Sequence, residues 1–364
     1  MTRRRARDHG VAIGRFAPGR HNTITDVDGV RVGHKTVFSD PADGGAVRTG
    51  VTTVFPHEGL PWKERVYVGT HILNGYGELI GINQLDEWGI LHSPIVLTSS
   101  LAIGRAYDAT ARWMARHPDD GVGDMPVVTE CDDSFLNDAL SFPLEDQDVW
   151  DALEGARSGD VEEGCVGSGT GMQCFDFKGG IGTASRVVPS EAGGYTVGTL
   201  VMTNFGDRQD LRIDGVPVGR EISDLMPETH PEGSCIVVVA TDAPMLPHQV
   251  RRLAVRAGLG LARTGSAATN GSGELMIAFS TANRIPAGGR DQAMTVTALV
   301  DGPSDEVPNA FSALFRATVE AVEESVVNAL FAAETTVGRD GNVLYALPIE
   351  RTLDILERAG RLSR

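Results

Sequence analysis

The sequence predicts a single layered α/β domain rather than two separate domains. Short apolar, β-branched segments alternate with longer amphipathic segments along the whole chain, a pattern typical of folds in which helices pack on sheets. The 364 residues are 41% hydrophobic and 22% charged, which is enough apolar material for a substantial core. No repeat period and no low-complexity linker divides the chain. The expected domain therefore spans residues 1–364.

The strand predictions rest on short runs of apolar, β-branched residues that end at turn residues. Such side chains suit a pleated surface that is covered on at least one face. The runs lie at 51–55, 94–98, 126–130, 195–203, 235–241, 274–281 and 294–300.

The helix predictions rest on longer segments in which apolar residues recur at helical spacing. These segments are 99–117, 246–263 and 309–333. A serine pair at 99–100 can cap the first helix, because a serine hydroxyl accepts from the free N–H groups of a first turn. Pro247 can begin the second helix, where its missing N–H group costs nothing. In that helix Val250, Leu253 and Ala257 fall on one face, as expected for packing against a sheet.

The chain is acidic, with a formal net charge of −17 at pH 7. This charge argues against nucleic-acid binding, because neutralising phosphates requires lysine and arginine. The acidic segment 143–163 is expected to be a solvated insertion around a short helix at 148–157. The basic start MTRRRARDHG leads into no apolar stretch, and no run approaches the length of a membrane helix. A cytoplasmic protein with no membrane partner is expected.

Neither a metal site nor a nucleotide site is indicated. The nine histidines are scattered, with no HExxH pattern and no Cys-x-x-Cys pair. In VGSGTGMQC (166–174) the third glycine comes one place too early for a dinucleotide-binding loop, so a tight structural turn is the favoured interpretation. Reduced core thiols rather than disulfides are expected for the cysteines, because the chain is large and lacks a secretion signal. The cysteines are at positions 131, 165, 174 and 235.

A Gly-Ser pair at 233–234 stands directly before the apolar run CIVVVAT. It has two interpretations: a glycine turn that ends a loop, or a serine presented from a strand edge. No Gly-x-Ser-x-Gly pattern supports a histidine-based triad, and GSG at 271–273 has a different spacing. A serine can instead be activated by its own α-amino group once the preceding peptide bond has been cut. Gly233 suits such a cut, because it has no side chain to block attack on its carbonyl.

Eight stretches resemble the self-processing serine aminopeptidases that include the L-aminopeptidase/D-esterases and the β-peptidyl aminopeptidases. They cover nearly the whole chain in order, so the resemblance does not depend on one motif. The stretches are HNTITDVDGVRVGH (21–34), RTGVTTVFP (48–56), NGYGEL (74–79), HSPIVLTSSLAIG (92–104), GSGTGMQCFDFKGGIGTASR (167–186), TNFGDRQDLRIDGVPVG (203–219), EGSCIVVVATDAPMLPHQ (232–249) and GSGELMIAFSTAN (271–283).

The resemblance implies that Gly233–Ser234 is an autocleavage bond and that Ser234 is the nucleophile. Cleavage there would give chains of residues 1–233 and 234–364. The resemblance also assigns Ser272 and Glu274 as the pair that assists the nucleophile. The two residues flank one glycine at the start of a predicted strand, so alternation sends both side chains to the same face. Without the resemblance, a polar turn would be the favoured interpretation of this pair.

The resemblance assigns roles to two further residues, and a third residue departs from the family pattern. Asn204 matches an asparagine whose amide donates to the oxyanion, and Glu130 matches an acid that binds the free amino group of the substrate. Asp132 stands where some members carry a tyrosine that helps the oxyanion. An ionised aspartate cannot donate, so Asp132 must be protonated, point away or serve in recognition of the amine.

The resemblance further implies a four-layer αββα sandwich, similar to the N-terminal nucleophile hydrolases but with a distinct topology. It implies hydrolysis of short peptides, amides or esters without a metal or organic cofactor, and assembly as a tetramer of cleaved pairs. Two alternatives stay open. One is an autocleaved acyltransferase, in which a threonine nucleophile is more usual; the other is a catalytically silent binding protein with the same fold.

Overall fold

The computed structural model of the protein describes residues 3–42, 45–116, 124–229, 233–288, 292–302 and 309–362. The strands are β1 (Arg31–Ser39), β2 (Val47–Phe55), β3 (Glu64–Gly75), β4 (Leu79–Ile80), β5 (Ile90–Leu91), β6 (Ile95–Ser99), β7 (Val127–Cys131), β8 (Gln173–Cys174), β9 (Phe177–Lys178), β10 (Ile181–Val187), β11 (Thr196–Asn204), β12 (Ser234–Thr241), β13 (Gly273–Pro286), β14 (Thr336–Val337) and β15 (Val343–Leu344). The α-helices are α1 (Ile82–Trp88), α2 (Ile103–Ala115), α3 (Asp146–Glu154), α4 (Val218–Glu221), α5 (Pro247–Thr264), α6 (Ala310–Ala332) and α7 (Ile349–Arg358).

Two sheets lie face to face at the centre of the fold. The first has the strand order β1-β2-β6-β7-β4, and the second has the order β10-β11-β12-β13-β3-β5. Apolar side chains from both sheets, such as Val54 and Leu97 from the first and Ile236 and Leu275 from the second, fill the space between them. This shared apolar layer joins the two sheets because neither inner face could remain in contact with water.

Helices cover the outer face of each sheet. The helices α2 and α3 pack on the first sheet through residues that include Trp113 and Val149. The helices α5 and α6 pack on the second sheet through residues that include Leu253 and Val326. The predicted αββα sandwich is therefore confirmed. Among the described residues, α6 included, no helix is both long and apolar enough to cross a membrane.

The central position of β12 in the second sheet explains why its sequence is continuously apolar. Ile236 and Val238 point into the layer between the sheets, whereas Val237 and Val239 point toward the helices. A strand covered on both faces needs apolar residues at every position rather than at alternate ones. Six of the predicted strands are confirmed, as β2, β6, β7, β11, β12 and β13, and the long predicted helices are confirmed as α2, α5 and α6. Position 117, at the end of the predicted helix 99–117, lies outside the described residues.

Two predictions about secondary structure and exposure are wrong. The segment 294–300 forms no strand; the backbone of Thr297 instead bonds the side chain of Asn283, at 2.9 and 3.0 Å. Its alternating pattern lacks a covered face, and Val300 is 95% exposed. The acidic segment 143–163 is not a solvated insertion, because α3 buries Val149 and Leu153 against the first sheet and directs its acidic residues outward.

The sheet topology brings several strand ends to one place. β11 and β12 are antiparallel, so the last residue of β11, Asn204, lies opposite the first residue of β12, Ser234. β12 and β13 are parallel, so Cys235 lies beside Glu274 at the start of both strands. In the other sheet β6 and β7 are parallel and end near Glu130, and β7 packs close to β12. Polar residues from both sheets therefore meet at one edge of the sandwich.

Candidate active site

Ser234 is the first residue of β12 and is almost completely buried, with 6% of its surface exposed. The backbone N–H of Gly273 donates a hydrogen bond to Ser234 Oγ at 3.3 Å. A side chain at Gly273 has no room, because a Cβ atom there would lie 2.4 Å from the carbonyl oxygen of Tyr76. The hydroxyl of Ser234 is thus held at the start of β12 by a backbone donor from β13.

Ser272 and Glu274 lie on either side of that donor, as the sequence predicts. The hydroxyl of Ser272 donates to Glu274 Oε1, and Glu274 has no exposed surface. Burial raises the pKa of Glu274, whereas the hydrogen bonds from Ser272 and Asn74 act in the opposite direction. A carboxyl group whose pKa is raised by burial and that is bonded to a hydroxyl is a better proton acceptor than a solvated carboxylate.

Asn204 is fixed by hydrogen bonds at both ends of its side-chain amide. Its Oδ1 accepts from the backbone N–H of Gln173 at 3.1 Å, and its Nδ2 donates to the backbone carbonyl of Asp132 at 2.8 Å. The amide orientation is therefore defined, with Nδ2 directed toward the end of β7. Because Asn204 is the strand partner of Ser234, this donor lies beside the nucleophile position.

The side chain of Asp132 is directed to its own turn. Its two carboxylate oxygens accept from the backbone N–H and the hydroxyl of Ser134, at 2.9 and 2.8 Å. Only the backbone carbonyl of Asp132 meets Asn204. Of the possibilities considered for an aspartate at this position, the geometry favours a side chain that points away from the oxyanion donor.

Glu130 lies at the end of β7 with 6% of its surface exposed. Its carboxylate accepts from the hydroxyl of Ser100 and, at 2.8 Å, from the backbone N–H of Glu78. Burial raises the pKa of Glu130, the two hydrogen bonds act against that rise, and the carboxylates of Asp132 and Glu78 add to it. A buried acid with these fixed donors presents a negative charge that a cation could neutralise.

A cavity of about 560 Å³ brings the nucleophile position and Glu130 together. Its volume is within the range of pockets that hold small ligands. Ser234 lines this cavity, whereas Asn204, Ser272 and Glu274 do not. Its lining residues are Gly75, Tyr76, Gly77, Ser100, Leu101, Glu130, Asp132, Ser134, Ala139, Leu140, Gly233, Ser234, Gly271 and Arg339.

Several lining residues were not predicted from the sequence. Tyr76, Leu101 and Leu140 are exposed apolar or aromatic side chains around the cavity, and Arg339 adds a guanidinium group. Tyr76 lies in the bend after β3, and the other three lie in short 3-10 turns from distant parts of the chain. Of these residues, only Tyr76 gave a signal in the sequence, as an aromatic residue between two glycines in NGYGEL.

Gly233 precedes the nucleophile and has little room for a side chain. A Cβ atom at this position would lie 2.7 Å from the carbonyl oxygen of Asn204 and 3.1 Å from the Cα atom of Phe205. Both neighbours are backbone atoms, one at the last residue of β11 and one at the residue that follows it, so neither can move aside cheaply. The residue before Ser234 must therefore be glycine for β11 and β12 to pair as they do.

Two buried thiols flank the site without competing for its chemistry. Cys131 follows Glu130, and Cys235 follows Ser234; both are free and buried. Burial raises the pKa of each thiol well above its ordinary value. Since the thiolate is the nucleophilic form of cysteine, these thiols remain inert at neutral pH.

Comparison with known proteins identifies the family. The sequence profile described as "Peptidase family S58" matches residues 22–344 of this chain. The chain belongs to peptidase family S58. It is 42% identical over 378 residues to the β-peptidyl aminopeptidase BapA of Sphingosinicella microcystinivorans, a match that covers 99% of this chain and 93% of that protein.

Solved structures of similar proteins share the fold over nearly the full length. The L-aminopeptidase D-Ala-esterase/amidase of Ochrobactrum anthropi, described as a prototype for the serine aminopeptidases and as a new variant of the Ntn hydrolase fold, superimposes with a TM-score of 0.91 and 42% identity over 99% of each chain. A Burkholderia β-aminopeptidase gives a TM-score of 0.89 and 42% identity, covering 98% of this chain and 99% of that one. The fold is therefore this Ntn-hydrolase variant, and the S58 relatives support a hydrolase of the aminopeptidase type.

Proposed function

We propose that this protein is a self-processing serine aminopeptidase that releases the N-terminal residue of short peptides, amides or esters. The observation that carries the proposal is the shared cavity: Ser234 and a buried carboxylate, Glu130, line the same space. A serine nucleophile beside a site for a substrate ammonium group is the arrangement that an aminopeptidase needs. The names of the S58 relatives agree with this activity.

The first stage is cleavage of the protein's own chain. Ser234 Oγ attacks the carbonyl carbon of Gly233, and the C–N bond between these residues breaks. The nitrogen takes up a proton and becomes the free amine of Ser234, while the acyl group of Gly233 is held as an ester on Oγ. Water opens that ester, which leaves a carboxylate on Gly233 and a free hydroxyl on Ser234. The products are chains of residues 1–233 and 234–364.

The second stage is hydrolysis of the substrate. Glu130 binds the substrate ammonium group, which places the scissile carbonyl against Ser234 Oγ. The Nδ2 group of Asn204 stabilises the oxyanion, and the leaving amine departs with a proton. The base is the α-amine of Ser234 or the Ser272–Glu274 pair. Water then hydrolyses the acyl-enzyme and restores the free hydroxyl of Ser234.

The cleaved pairs are proposed to assemble as a tetramer, and sedimentation velocity on the purified protein tests this assembly. The substrate range includes β-peptides among the first candidates, because two relatives are named for them. Matched α- and β-alanyl p-nitroanilides would measure which backbone the cavity prefers. Adding an amine acceptor to the same assay separates hydrolysis from acyl transfer: a hydrolase forms mainly the free acid.

The decisive experiment is intact mass measured under denaturing conditions, combined with hydrolysis of an aminoacyl p-nitroanilide. The unaltered protein should give two species that divide between Gly233 and Ser234, together with activity. Ser234→Ala should give one uncut and inactive species, whereas the exposed control Ser190→Ala should behave like the unaltered protein. A Ser234→Ala variant that is cut would refute the role of Ser234. An unaltered protein that stays whole and inactive would refute the proposal and favour the silent binding protein.

A further inference from the structure

Lys178 is completely buried in the short strand β9, yet it carries a side chain that normally bears a charge. Its ammonium group donates to the backbone carbonyl oxygens of Gly169, Met172 and Gly179, at 3.1, 2.7 and 2.8 Å. An ammonium group has three N–H donors, so all of its donors are used. Burying an ammonium group is costly, and these three carbonyl dipoles are what makes the position tolerable.

The ammonium group of Lys178 is not balanced by a direct carboxylate partner. None of the ion pairs found among the described residues involves Lys178. Burial lowers the pKa of Lys178, while the thiols of Cys165 and Cys174 and the more distant carboxyl group of Asp133 favour its charged form. The glycine-rich loop thus encloses a positive charge that its own carbonyl groups solvate.

One of those carbonyl groups leads directly to the proposed oxyanion donor. The Met172–Gln173 peptide group accepts from Lys178 Nζ at its oxygen and donates from its N–H to Asn204 Oδ1, at 3.1 Å. The same side-chain amide then donates from Nδ2 to the carbonyl of Asp132, at 2.8 Å. Two amide groups, the Met172–Gln173 peptide group and the side chain of Asn204, therefore link the buried ammonium group of Lys178 to the proposed oxyanion donor.

The loop is held firmly enough for this series to keep its geometry. The N–H of Gly179 adds a second hydrogen bond to the carbonyl of Met172, at 3.0 Å. Gly180 and Thr203 exchange hydrogen bonds, the N–H of each bonding an oxygen of the other at 2.9 Å. A Cβ atom on Gly179 would lie 2.4 Å from Thr203 Oγ1, so glycine permits the close approach. Loop and strand end therefore form one rigid unit.

We propose that Lys178 is a positioning residue that orients and polarises Asn204 for stabilisation of the oxyanion. Hydrogen bonds in a chain strengthen one another, because each acceptor that is polarised makes its own group a better donor. A cation at the first carbonyl makes the Gln173 N–H more acidic, and this in turn makes Asn204 Nδ2 a stronger donor. The inference rests on the proposed function, since it requires that Asn204 acts on the oxyanion.

The test replaces Lys178 with glutamine, which keeps hydrogen-bond donors and removes the charge. In the fully processed Lys178→Gln enzyme, we expect kcat for an aminoacyl p-nitroanilide to fall roughly tenfold and KM to change less than about twofold. The loss should be smaller than the about 10²–10³-fold expected when an oxyanion donor is itself removed. Processing, followed by intact mass, should slow in parallel. An unchanged kcat, or a loss that lies entirely in KM, would overturn the proposal.

The matched control is Arg208→Gln, which removes a different buried cation that lies after β11 and bonds to the same loop. Arg208 fastens the carbonyls of Phe175 and Asp176, at 3.0 and 2.9 Å, but has no bond to the Met172–Gln173 peptide group. It should lower the melting temperature without a comparable loss in kcat. Equal losses of kcat in the two variants would mean that loop stability alone matters, and would overturn the proposal.

A double variant separates action through Asn204 from general damage. In an Asn204→Ala background, Lys178→Gln should lower kcat less than about twofold further, because its path to the oxyanion is already absent. Full additivity would overturn the proposal. Full activity in Asn204→Ala would refute the oxyanion role of Asn204 under the proposed function. Full activity in Lys178→Gln, together with a loss in Asn204→Ala, would refute only the role of Lys178. If neither Lys178→Gln nor Lys178→Met folds, Lys178 is a folding residue and the inference is withdrawn.

Discussion

Replacing Glu130 with glutamine isolates the contribution of one negative charge to substrate binding. Glu130 is 6% exposed, and its carboxylate is held by the backbone N–H of Glu78 at 2.8 Å and by the hydroxyl of Ser100. A glutamine side chain has the same shape, and its Oε1 can still accept one of these hydrogen bonds. The change therefore removes the charge and leaves the wall of the cavity in place.

The expected size of the effect follows from the burial of Glu130. Opposite unit charges about 4 Å apart attract by about 4 kcal/mol at an effective dielectric constant of about 20. Transfer of the substrate ammonium group from water offsets part of this, and a charge-assisted hydrogen bond contributes about 1.5–3 kcal/mol net. At about 1.4 kcal/mol per factor of ten, kcat/KM should fall by about 10-fold to 150-fold, mainly through KM.

The assay is kcat/KM for an aminoacyl p-nitroanilide as a function of pH. Burial raises the pKa of Glu130 in the free enzyme, so the charged form that binds ammonium is lost as the pH falls through this raised value. The unaltered enzyme should show that acidic decline at a higher pH than a solvated glutamate would give, and Glu130→Gln should lack it. Asp132→Asn is the matched control, because Asp132 also lines the cavity but bonds Ser134. A larger loss in Asp132→Asn than in Glu130→Gln would refute the assignment and place the ammonium group at Asp132.

Three other outcomes follow from the structure. Gly233→Ala should slow self-cleavage roughly tenfold, because its Cβ atom would lie 2.7 Å from the carbonyl oxygen of Asn204 and overpacking costs about 1–3 kcal/mol. Intact mass measured against time gives the cleavage rate, and cleavage at the normal rate would contradict the prediction. Ser272→Ala should keep the fold but lower kcat, since Glu274 loses its hydroxyl partner. Stopped assays with purified enzyme measure kcat, and an unchanged kcat would exclude Ser272 and Glu274 from proton transfer. Arg186→Met should destabilise the fold by about 3–5 kcal/mol, because it strips a partner from the buried carboxylate of Glu324, 2.5 Å away. Chemical denaturation tests this, and a loss under about 1 kcal/mol would show that Arg7, which also pairs with Glu324 at 2.7 Å, balances the charge alone.

The sequence was most informative where a strand is buried on both faces. The run at 235–241 could be predicted because residues 235–240 alternate between two apolar layers. The strands β1, β3 and β10 were missed because polar residues and glycines interrupt them, as in IGTASRV of β10. These strands are fixed by pairing with neighbours rather than by their own composition. Conversely, 294–300 has the composition of a strand but no neighbouring strand to pair with.

The contacts in the candidate site also differ in whether the sequence alone can predict them. The proximity of Ser272 and Glu274 could be predicted, because strand alternation acts over two residues. The approach of Asn204 to Ser234 depends on the pairing of β11 with β12, and that of Glu130 depends on how two sheets pack. Such contacts join distant parts of the chain, so spacing in the sequence does not reveal them. The resemblance to known aminopeptidases supplied these residues, and the geometry then showed how they meet.

The order of strands in the second sheet constrains when the proposed self-cleavage could occur. β12 and β13, which follow Gly233, lie between β11 on one side and β3 on the other, which precede it, within one hydrogen-bonded sheet. An intact chain finds this arrangement by a unimolecular search, whereas two separated pieces would need a bimolecular encounter at cellular dilution. Folding must therefore precede cleavage. Once cut, the protein would be expected to denature irreversibly, and its lifetime would be governed by the rate at which the sheet opens.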